Sequence, residues 1–550
     1  MGSIPVVDLF SGPGGLAEGF AGYRDAAGQP RFRIALSVEM EESAYRTLLL
    51  RAFLRKFSST GFPSEYYGFL NGEEREEPDW AKRYPEQWEA ACDETRQLTL
   101  GTSAATDFLA ARLPQLREQF GDRLVLLGGP PCQSYSLVGR ARNAGNADYD
   151  ASKDERQLLY REYVRAMREL QPAVAVMENV KGVLSAKHND KPIFRHILGR
   201  LENPGGEKRY GLFALAPPQG NDLWDSQLEP RDYLVRTEDF GIPQSRHRVF
   251  VVCVREDLAP DVSTDSLDAL LRLDTVPSTV TVADMIGTMP PLRSRISRGD
   301  SEALWRSALN RACDLVERSS RPELTDDETQ CFNQAVAEAR KTASAPAPPY
   351  RDASGALPPS CADSLRDWIH DAKLKKLPNH ETRGHMADDL ARYLFAAAFA
   401  KAKKRSPHAS HFPDDLAPKH ANWSTGKFGD RFRVQLADDP SSTVTSHISK
   451  DGHYYIHPDP GQCRSLTVRE AARLQTFPDN YFFQGPRTRQ YVQVGNAVPP
   501  FLARQIAARV WKVIDRLCKP PEQAPDGSEG GRHDQPTTTQ VEVPEMAGAQ

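Results

Sequence analysis

The chain has 550 residues and a net charge of −4, so it is long enough for more than one domain and its overall charge does not indicate a nucleic-acid partner. Hydrophobic residues make up 39% of it, enough for a packed core, yet no apolar run reaches the roughly 18 residues of a membrane span. Its 8 cysteines are scattered without a CxxC pair, which argues against a disulfide framework or a zinc cluster and favours a reduced, cytoplasmic protein.

Five short runs rich in β-branched residues predict buried strands, at residues 4–10, 33–39, 124–127, 173–177 and 248–254. Helical patterns lie between them; Leu159, Tyr163, Ala166 and Leu170, for example, recur at helical spacing. Alternating buried strands and amphipathic helices predict an α/β fold with a mostly parallel, doubly wound sheet. Ligands of such sheets bind at the carboxyl ends of the strands, which is where most of the motifs described below begin.

The composition changes after residue 291. Residues 301–341 and 362–405 have helical patterns with many charges, residues 343–360 predict a Pro/Ala/Ser-rich linker, and residues 443–447 and 453–457 predict strands. Residues 292–459 therefore form a predicted inserted domain between two parts of a main domain, residues 1–291 and 460–518. The last helix begins at Pro499 and Pro500, and residues 519–550 have the polar composition of a disordered tail.

A glycine-rich turn follows the first predicted strand. In DLFSGPGGLAEGF (residues 8–20) the strand ends near Phe10, Gly12 and Gly14 belong to a tight turn, and a helix starts near Leu16. The backbone NH groups of such a turn can receive a ligand, and Glu39, at the end of the next strand, is suited to bind ribose hydroxyls. Either feature alone could be purely structural, but together they predict a nucleoside-containing cofactor.

Further motifs follow in a fixed order. They are GGPPCQSYS (residues 128–136), MENVKGVL (177–184), QSRHRVF (244–250), RSLTVREAARLQTFPDNY (464–481) and QVGNAVPP (493–500). With DLFSGPGG as the first motif, the chain closely resembles the cytosine-5 DNA methyltransferases over about residues 1–290 and 460–518. The resemblance implies a Rossmann-like, S-adenosylmethionine-dependent sheet with an inserted, partly helical target-recognition domain. It also implies methyl transfer from S-adenosyl-L-methionine to C5 of cytosine in double-stranded DNA.

The resemblance makes Cys132 the nucleophile. C5 of cytosine is a poor nucleophile, so the family adds a thiolate to C6, which creates an enamine able to attack an electrophilic methyl group. A thiolate needs positive or dipolar surroundings, and a cysteine after two prolines and before a polar loop is not a typical buried one. Glu178 is implied to bind N3 and the exocyclic amine of the base. Arg246 and Arg248 alternate along a strand; one or both are implied to contact the base or a nearby phosphate, while the other could tie strands to Glu178.

The resemblance also assigns the methyl donor a set of contacts. Glu39 is expected at the ribose, Asp107 at the adenine amine and Asn496 at the methionine end. A charged segment of about 60 residues (51–110) precedes and includes Asp107, and its role is open. The full set is Phe10, Gly12, Gly14, Leu16, Glu39, Met40, Asp107, Pro130, Asn496 and Val498.

DNA contacts are expected from a loop and from the insert. A base must leave the duplex at a cost of a few kcal/mol, and the loop at residues 133–150 has the glycines and arginines to close over the DNA. Residues 373–433 contain 13 Lys and Arg against 6 Asp and Glu, which suits phosphate contact, although a solvated helix face is commoner and KAKKR also resembles a nuclear-import signal. No metal site is expected, because HETRGH has one residue too many for a zinc helix. The expected DNA contacts are Gln133, Ser136, Arg140, Arg142, Gln244, Lys403, Lys404 and Arg405.

The sequence therefore predicts a DNA (cytosine-5)-methyltransferase of a restriction–modification or phage-defence system, with a possible nuclease partner and no membrane association. Three alternatives stay open: a tRNA methyltransferase of the same fold, a catalytically silent DNA-binding homologue, and a dinucleotide oxidoreductase. The large insert favours recognition of a duplex sequence, intact Cys132, Glu178 and Arg246 argue against a silent homologue, and an oxidoreductase explains only the glycine turn.

Overall fold

The structure is a computed structural model, and it describes residues 2–57, 60–131, 159–188, 191–217, 228–260, 262–320, 323–345, 347–350, 355–418, 423 and 429–518. Within these ranges the chain forms one large mixed sheet, three two-stranded sheets and helices on both faces of the large sheet. None of the helices in these ranges is long and apolar enough to cross a membrane. The predicted disordered tail, residues 519–550, lies outside them.

The large sheet confirms the predicted α/β fold. Its strands are β1 (Ile4–Leu9), β2 (Phe32–Glu39), β3 (Thr95–Gln97), β4 (Val125–Gly128), β5 (Val174–Val180), β6 (Tyr210–Phe213), β7 (Leu234–Arg236) and β8 (His247–Arg255). Their order in space is β3-β2-β1-β4-β5-β8-β6, and β7 pairs with one end of β8. The first five strands of this order are parallel, whereas β8 runs antiparallel to its three neighbours. All five predicted strands are present.

Helices cover both faces of the sheet, which is why β1, with the sequence IPVVDL, is buried at every position. One face packs Ile4 and Val6 against the helices Gly15–Ala21 and Pro500–Leu517, and the other packs Val7 and Leu9 against three further helices. The predicted helix around Tyr163 is confirmed. The α-helices are Gly15–Ala21, Glu42–Arg55, Ser64–Leu70, Trp80–Arg83, Pro85–Glu94, Ser103–Phe120, Tyr160–Leu170, Ile193–Glu202, Thr264–Leu271, Val282–Ile286, Glu302–Arg318, Asp326–Ser344, Asp363–Ile369, Ala387–Lys403, Val468–Leu474, Arg487–Asn496 and Pro500–Leu517.

The inserted segment has a core of its own, built by the helices Glu302–Arg318, Asp326–Ser344 and Ala387–Lys403 around Trp305 and Phe399. The predicted linker at 343–360 is wrong at both ends, because its first residues are helical and its last ones contribute to a core. The second of these helices runs to Ser344, and Leu357 is buried in the core of the main sheet together with Cys361. Apolar side chains within the insert thus pack against the main domain, and the division at residues 292 and 459 remains a proposal.

The predicted strands at 443–447 and 453–457 are wrong. A single 3-10 turn, Ser446–Ser449, and short bridges to neighbouring chain segments take their place. Side chains capture the backbone NH groups instead of a neighbouring strand: Val444 N donates to Gln244 Oε1 at 2.8 Å and Thr445 N to Tyr455 Oη at 3.1 Å. The two-stranded sheets pair Lys187–His188 with Lys191–Pro192, Gln244–Ser245 with Ser441–Ser442, and Arg295–Ile296 with Gly384–His385.

The charged segment at 51–110 folds into short helices around an aromatic cluster that includes Phe53, Tyr66 and Trp80. It also touches the inserted segment, because Tyr67 Oη donates to Asp371 Oδ2 at 2.8 Å. This segment therefore braces the main domain against the insert near residue 371.

Candidate active site

The carboxyl ends of four parallel strands bring the predicted site residues into one row. Leu9 of β1 pairs with Val38 of β2 and with Gly128 of β4, and Gly128 in turn pairs with Met177 of β5. The residues that follow these four are Phe10, Glu39, Gly129 and Glu178. Strand register alone thus places the predicted donor residues beside the predicted catalytic acid, at the edge where doubly wound sheets bind ligands.

The glycine turn is held to Glu39. Gly12 N donates to Glu39 Oε2 at 2.8 Å, and Glu41 N donates to Glu39 Oε1 at 2.8 Å. Burial raises the pKa of Glu39, and these NH groups oppose the rise. Phe10, Gly12 and Gly14 all have positive φ, at 57°, 56° and 96°, and Gly14 caps the first helix in the left-handed conformation. The turn therefore needs glycine at Gly14, where a Cβ would also meet Leu48 at 2.7 Å.

The last motif closes against this turn. A Cβ on Gly15 would lie 2.2 Å from the carbonyl oxygen of Val498, so the first helix approaches residue 498 with no room for a side chain. Leu16 and Val498 are buried, whereas Asn496, the last residue of its helix, is exposed. The two ends of the main domain thus meet at one place, with the amide of Asn496 open to a ligand.

Three predicted donor contacts remain: Met40, Pro130 and Asp107. Met40 is 60% exposed although it is apolar, and Pro130 is buried with its carbonyl oxygen accepting from Asn179 Nδ2 at 3.1 Å. Asp107, assigned to the adenine amine by the resemblance, does not lie at a strand end. It is exposed within the helix Ser103–Phe120, and β3, whose end adjoins Glu39, stops ten residues earlier at Gln97.

Glu178 and Arg248 form an ion pair at the active edge. Arg248 Nε lies 3.0 Å from Glu178 Oε1, and both side chains are 13% exposed. Burial raises the pKa of Glu178, and the guanidinium groups of Arg248 and Arg246 oppose the rise. The other carboxylate oxygen, Oε2, faces Gly129, where an added Cβ would approach it to 3.0 Å. A carboxyl group with a raised pKa therefore stands beside the chain that leads to residue 132.

Arg246 turns into the protein instead of toward a ligand. It is 2% exposed, its Nη1 donates to the carbonyl oxygen of Val444 at 2.8 Å, and its Nη2 donates to that of Gly495 at 3.2 Å. The two arginines thus have different roles: Arg248 pairs with Glu178, and Arg246 joins the insert to the residue before Asn496. The expected contact of Arg246 with a base is not supported by this geometry.

Gln244 likewise bonds to groups inside the protein. Its side chain is fully buried, Nε2 donates to the carbonyl oxygen of Leu474 at 3.1 Å, and Oε1 accepts from Val444 N. This arrangement corrects the expectation that Gln244 contacts DNA, because both ends of the amide are already bonded to backbone. The predicted contacts Cys132, Gln133, Ser136, Arg140 and Arg142 lie outside the described residues.

The basic group in the insert is partly neutralised by acids. Lys403 Nζ lies 2.7 Å from Glu328 and Lys404 Nζ 2.9 Å from Asp438, while Arg405 is exposed with its guanidinium over Phe399. Lys404 and Arg405 remain accessible to a phosphate, whereas Lys403 is largely covered. In the parts of the chain that the structure describes, no cluster of three or more His, Cys, Asp or Glu side chains could hold a metal ion.

Two residues of the site were missed at the sequence level. Asn179 holds the carbonyl oxygen of Pro130, and Tyr481 Oη donates to the carbonyl oxygen of Pro13 in the glycine turn. Both lie inside quoted motifs, MENV and FPDNY. Their position next to Glu178 and at the end of a motif was the available signal.

Comparison with known proteins identifies the family. A family model described as C-5 cytosine-specific DNA methylase matches residues 114–512. The type II methyltransferase M.Bpa9945I of Bacillus paralicheniformis is 32% identical over 524 residues, which cover 93% of this chain and 99% of that protein. The putative type II methyltransferase M.OihORF3336P of Oceanobacillus iheyensis is 25% identical over 428 residues, which cover 72% of this chain and 81% of that protein.

Among solved structures, a putative DNA modification methyltransferase encoded within an Escherichia coli prophage aligns with a TM-score of 0.42 at 20% identity, over 93% of this chain and 100% of that chain. The match of the family model over most of the chain, together with the relative at 32% identity, shows that this chain belongs to the C-5 cytosine-specific DNA methylases and is a DNA (cytosine-5)-methyltransferase.

Proposed function

We propose that the chain transfers a methyl group from S-adenosyl-L-methionine to C5 of a flipped-out cytosine in a specific duplex DNA sequence, through a transient bond between Cys132 Sγ and C6. The observation that carries this proposal is the Glu178–Arg248 pair beside Gly129, three residues before Cys132. Addition of a thiolate to C6 is aided by a carboxyl group that can donate a proton to N3 of the base.

The residues around the glycine turn fit the methyl donor. The turn leaves its backbone close to a helix N-terminus, Glu39 stands next to it at a strand end, and Asn496, two residues before the Val498 that contacts Gly15, is exposed. In this proposal Glu39 holds the ribose, Asn496 holds the methionine end and Met40 offers an exposed apolar surface beside Glu39. When bound, S-adenosyl-L-methionine supplies an electrophilic methyl carbon.

Two groups of the protein, the Cys132 thiolate and the Glu178 carboxyl group, take part in the proposed reaction. The Cys132 thiolate gives an electron pair to C6 while protonated Glu178 gives its proton to N3, which leaves C5 nucleophilic. After C5 has gained the methyl group, loss of the C5 proton to a base restores the C5–C6 double bond and expels the thiolate. Glu178 takes back the N3 proton in the same step, so Cys132 and Glu178 return to their initial states once the C5 proton has passed to solvent.

The surroundings of Glu178 suit this role. Burial favours the neutral carboxyl group and so raises its pKa, while Arg248 at 3.0 Å limits the rise and fixes the orientation of the group. A carboxyl group whose pKa is raised gives a proton to N3 and accepts it again more readily than one with an ordinary pKa.

The biological setting is proposed from the relatives. Two similar bacterial proteins are described as type II methyltransferases, one of them putatively. We infer that this chain also protects specific DNA sites within a restriction–modification or phage-defence system, with a nuclease as its possible partner.

The experiment that tests the function is transfer of a labelled methyl group to duplex DNA or to tRNA, with the Cys132→Ala variant beside the wild type. Label should enter cytosine in DNA and vanish with Cys132→Ala. Cys518→Ala, which removes an exposed free thiol, is the matched control and should keep full activity. Label in tRNA alone, or an active Cys132→Ala variant, would contradict the proposal. Bisulfite sequencing of DNA from cells that express the chain would then give the target sequence.

A further inference from the structure

A row of buried polar side chains crosses the first three strands of the sheet. Asp8 on β1 is in register with Ser37 on β2, and Ser37 is in register with Thr95 on β3. Neighbouring residues of parallel strands point to the same face about 4.8 Å apart, so these three side chains lie side by side. Their exposures are 0%, 0% and 1%.

Among the residues that the structure describes, the side-chain oxygens of this row make no direct hydrogen bond of good geometry, although the Ser11 hydroxyl is close enough to Asp8 to lower the pKa of its carboxyl group. Both carboxyl oxygens of Asp8, the hydroxyl of Ser37 and the hydroxyl of Thr95 are buried and unbonded. Buried polar atoms are nearly always satisfied, by protein or by ordered water. Four such oxygens in one row therefore indicate one shared polar site, in which buried water can form the missing hydrogen bonds.

A buried ionic network borders the row. Arg55 leaves Nε and Nη1 unbonded while its Nη2 lies 2.6 Å from Glu94 Oε1, and its Nη1 lies 3.7 Å from Glu18 Oε2. Burial raises the pKa of the Asp8 carboxyl group to about 7, while the Ser11 hydroxyl and the positive charge of Arg55 oppose the rise, so Arg55 acts on Asp8. A carboxyl group and a guanidinium group that attract each other without a direct bond are suited to a bridge of water.

The row lies directly under the proposed donor turn. The carbonyl oxygen of Asp8 accepts from Ser11 Oγ at 2.8 Å, and Ser11 is followed by Gly12, whose NH group binds Glu39. A charge at Asp8 therefore sits at the root of the turn, screened from bulk solvent, where it acts over short distances. The titratable groups that act on Asp8 or on Arg55 are Glu39, Tyr163, Arg55, Glu18, Glu94 and Tyr481.

We propose that Asp8, Ser37, Thr95 and Arg55 enclose a buried hydrated site that positions the glycine turn, and that ionisation of Asp8 strengthens binding of the cationic methyl donor. Asp8 is then a positioning residue, because it acts through the turn and does not touch the donor. The part that concerns the donor rests on the proposed function. The sulfonium and ammonium groups of the donor outweigh its single carboxylate, so a negative charge beneath the turn attracts it.

The first test measures the donor dissociation constant by calorimetry between pH 6 and pH 8. Wild type should bind more weakly at low pH, by about tenfold at pH 6 if only the ionised form of Asp8 binds. Asp8→Asn, which is isosteric and cannot ionise, should lose most of this slope. Asp327→Asn, an exposed residue in the insert, is the matched control and should keep it. A variant Asp8→Asn with the slope of wild type overturns the proposal, and an equal loss of affinity at every pH does so too.

A second variant tests the shared site. Ser37→Ala removes one oxygen of the row, so it should move the midpoint of the pH dependence upward, because Asp8 loses a polar neighbour. An unchanged midpoint contradicts a shared hydrated site.

A readout without the donor separates this inference from the proposed function. Burial raises the pKa of Asp8 from 3.8 to about 7, so the folded state binds the extra proton between these values and wild type should lose stability as the pH rises through them. Asp8→Asn should lack this loss in urea unfolding. If wild type binds no donor at any pH, the proposed function fails. The difference in the pH dependence of urea unfolding between wild type and Asp8→Asn still shows whether Asp8 ionises in this range.

Discussion

Replacing Gly15 by alanine tests the contact that joins the two ends of the main domain. A Cβ at this position would lie 2.2 Å from the carbonyl oxygen of Val498 and 3.2 Å from its carbonyl carbon. Both are backbone atoms, so no side-chain rotation relieves the clash and either the first helix or the chain near Val498 must move. Overpacking costs about 1–3 kcal/mol, and a backbone contact this short belongs at the upper end of that range.

Gly199→Ala is the matched control. Gly199 lies in the helix Ile193–Glu202, is exposed, and has open space where its Cβ would be. Alanine there should stabilise the protein by about 0.5–1 kcal/mol, since glycine is unfavourable inside helices. Urea unfolding at 25 °C should therefore separate Gly15→Ala from Gly199→Ala by about 3–4 kcal/mol.

The same displacement should weaken donor binding by Gly15→Ala, because Asn496 and Val498 belong to the proposed donor site. Calorimetric titration with S-adenosyl-L-methionine measures the effect. Equal urea midpoints for the two alanine variants, together with a wild-type donor affinity for Gly15→Ala, would refute the reasoning.

Four further substitutions test other parts of the account. Asn496→Ala should raise the dissociation constant of the donor with little change in kcat, and a wild-type constant would remove Asn496 from the donor site. Arg248→Met removes the cation that lowers the pKa of Glu178, so the fall of kcat/KM at high pH should move to higher pH while the maximum rate drops; an unmoved profile would exclude Glu178 as the proton donor. Gln244→Ala should destabilise the fold by about 1–3 kcal/mol, measured by urea unfolding, and leave the salt dependence of DNA binding intact. Lys404→Ala should change stability by less than about 1 kcal/mol but reduce the salt slope of DNA binding by about one, and an unchanged slope would mean that Lys404 contacts no phosphate.

The buried sheet could be predicted from sequence because its strands carry their own signal. The strand Ile4–Leu9 is apolar at nearly every position, as a strand covered on both faces must be, and the motif residues Glu39 and Glu178 lie at or near the carboxyl ends of their strands. The register of the parallel strands then places these strand ends side by side in space. This part of the site required no knowledge of distant contacts.

Distant contacts decide the parts that the sequence analysis missed. The β-branched residues around Val444 predict a strand, but the NH groups there are bonded by the side chains of Gln244 and Tyr455 from other segments. Gln244 itself has a polar side chain that suggests a surface ligand, yet a buried amide can satisfy backbone groups instead. Arg246 follows the same logic, since carbonyl oxygens from two distant segments meet its guanidinium.

The count of basic residues overestimated the phosphate-binding surface for a similar reason. The basic excess of residues 373–433 is real in sequence, but Lys403 pairs with Glu328, which lies on a helix outside that window. Only the three-dimensional neighbours decide which basic side chains remain for a phosphate. Asp107 was assigned to the donor by the resemblance, but it lies in the helix Ser103–Phe120, and β3 ends ten residues before it.

The covalent bond to the base is the central claim, and duplex DNA that carries 5-fluorocytosine at the methylated position tests it most directly. Fluorine at C5 cannot leave as a proton does, so the adduct should persist after methyl transfer. We expect a donor-dependent protein–DNA adduct that survives denaturation and maps by mass spectrometry to the peptide containing Cys132. An enzyme that methylates ordinary DNA yet forms no such adduct, or forms it through another residue, would contradict the account.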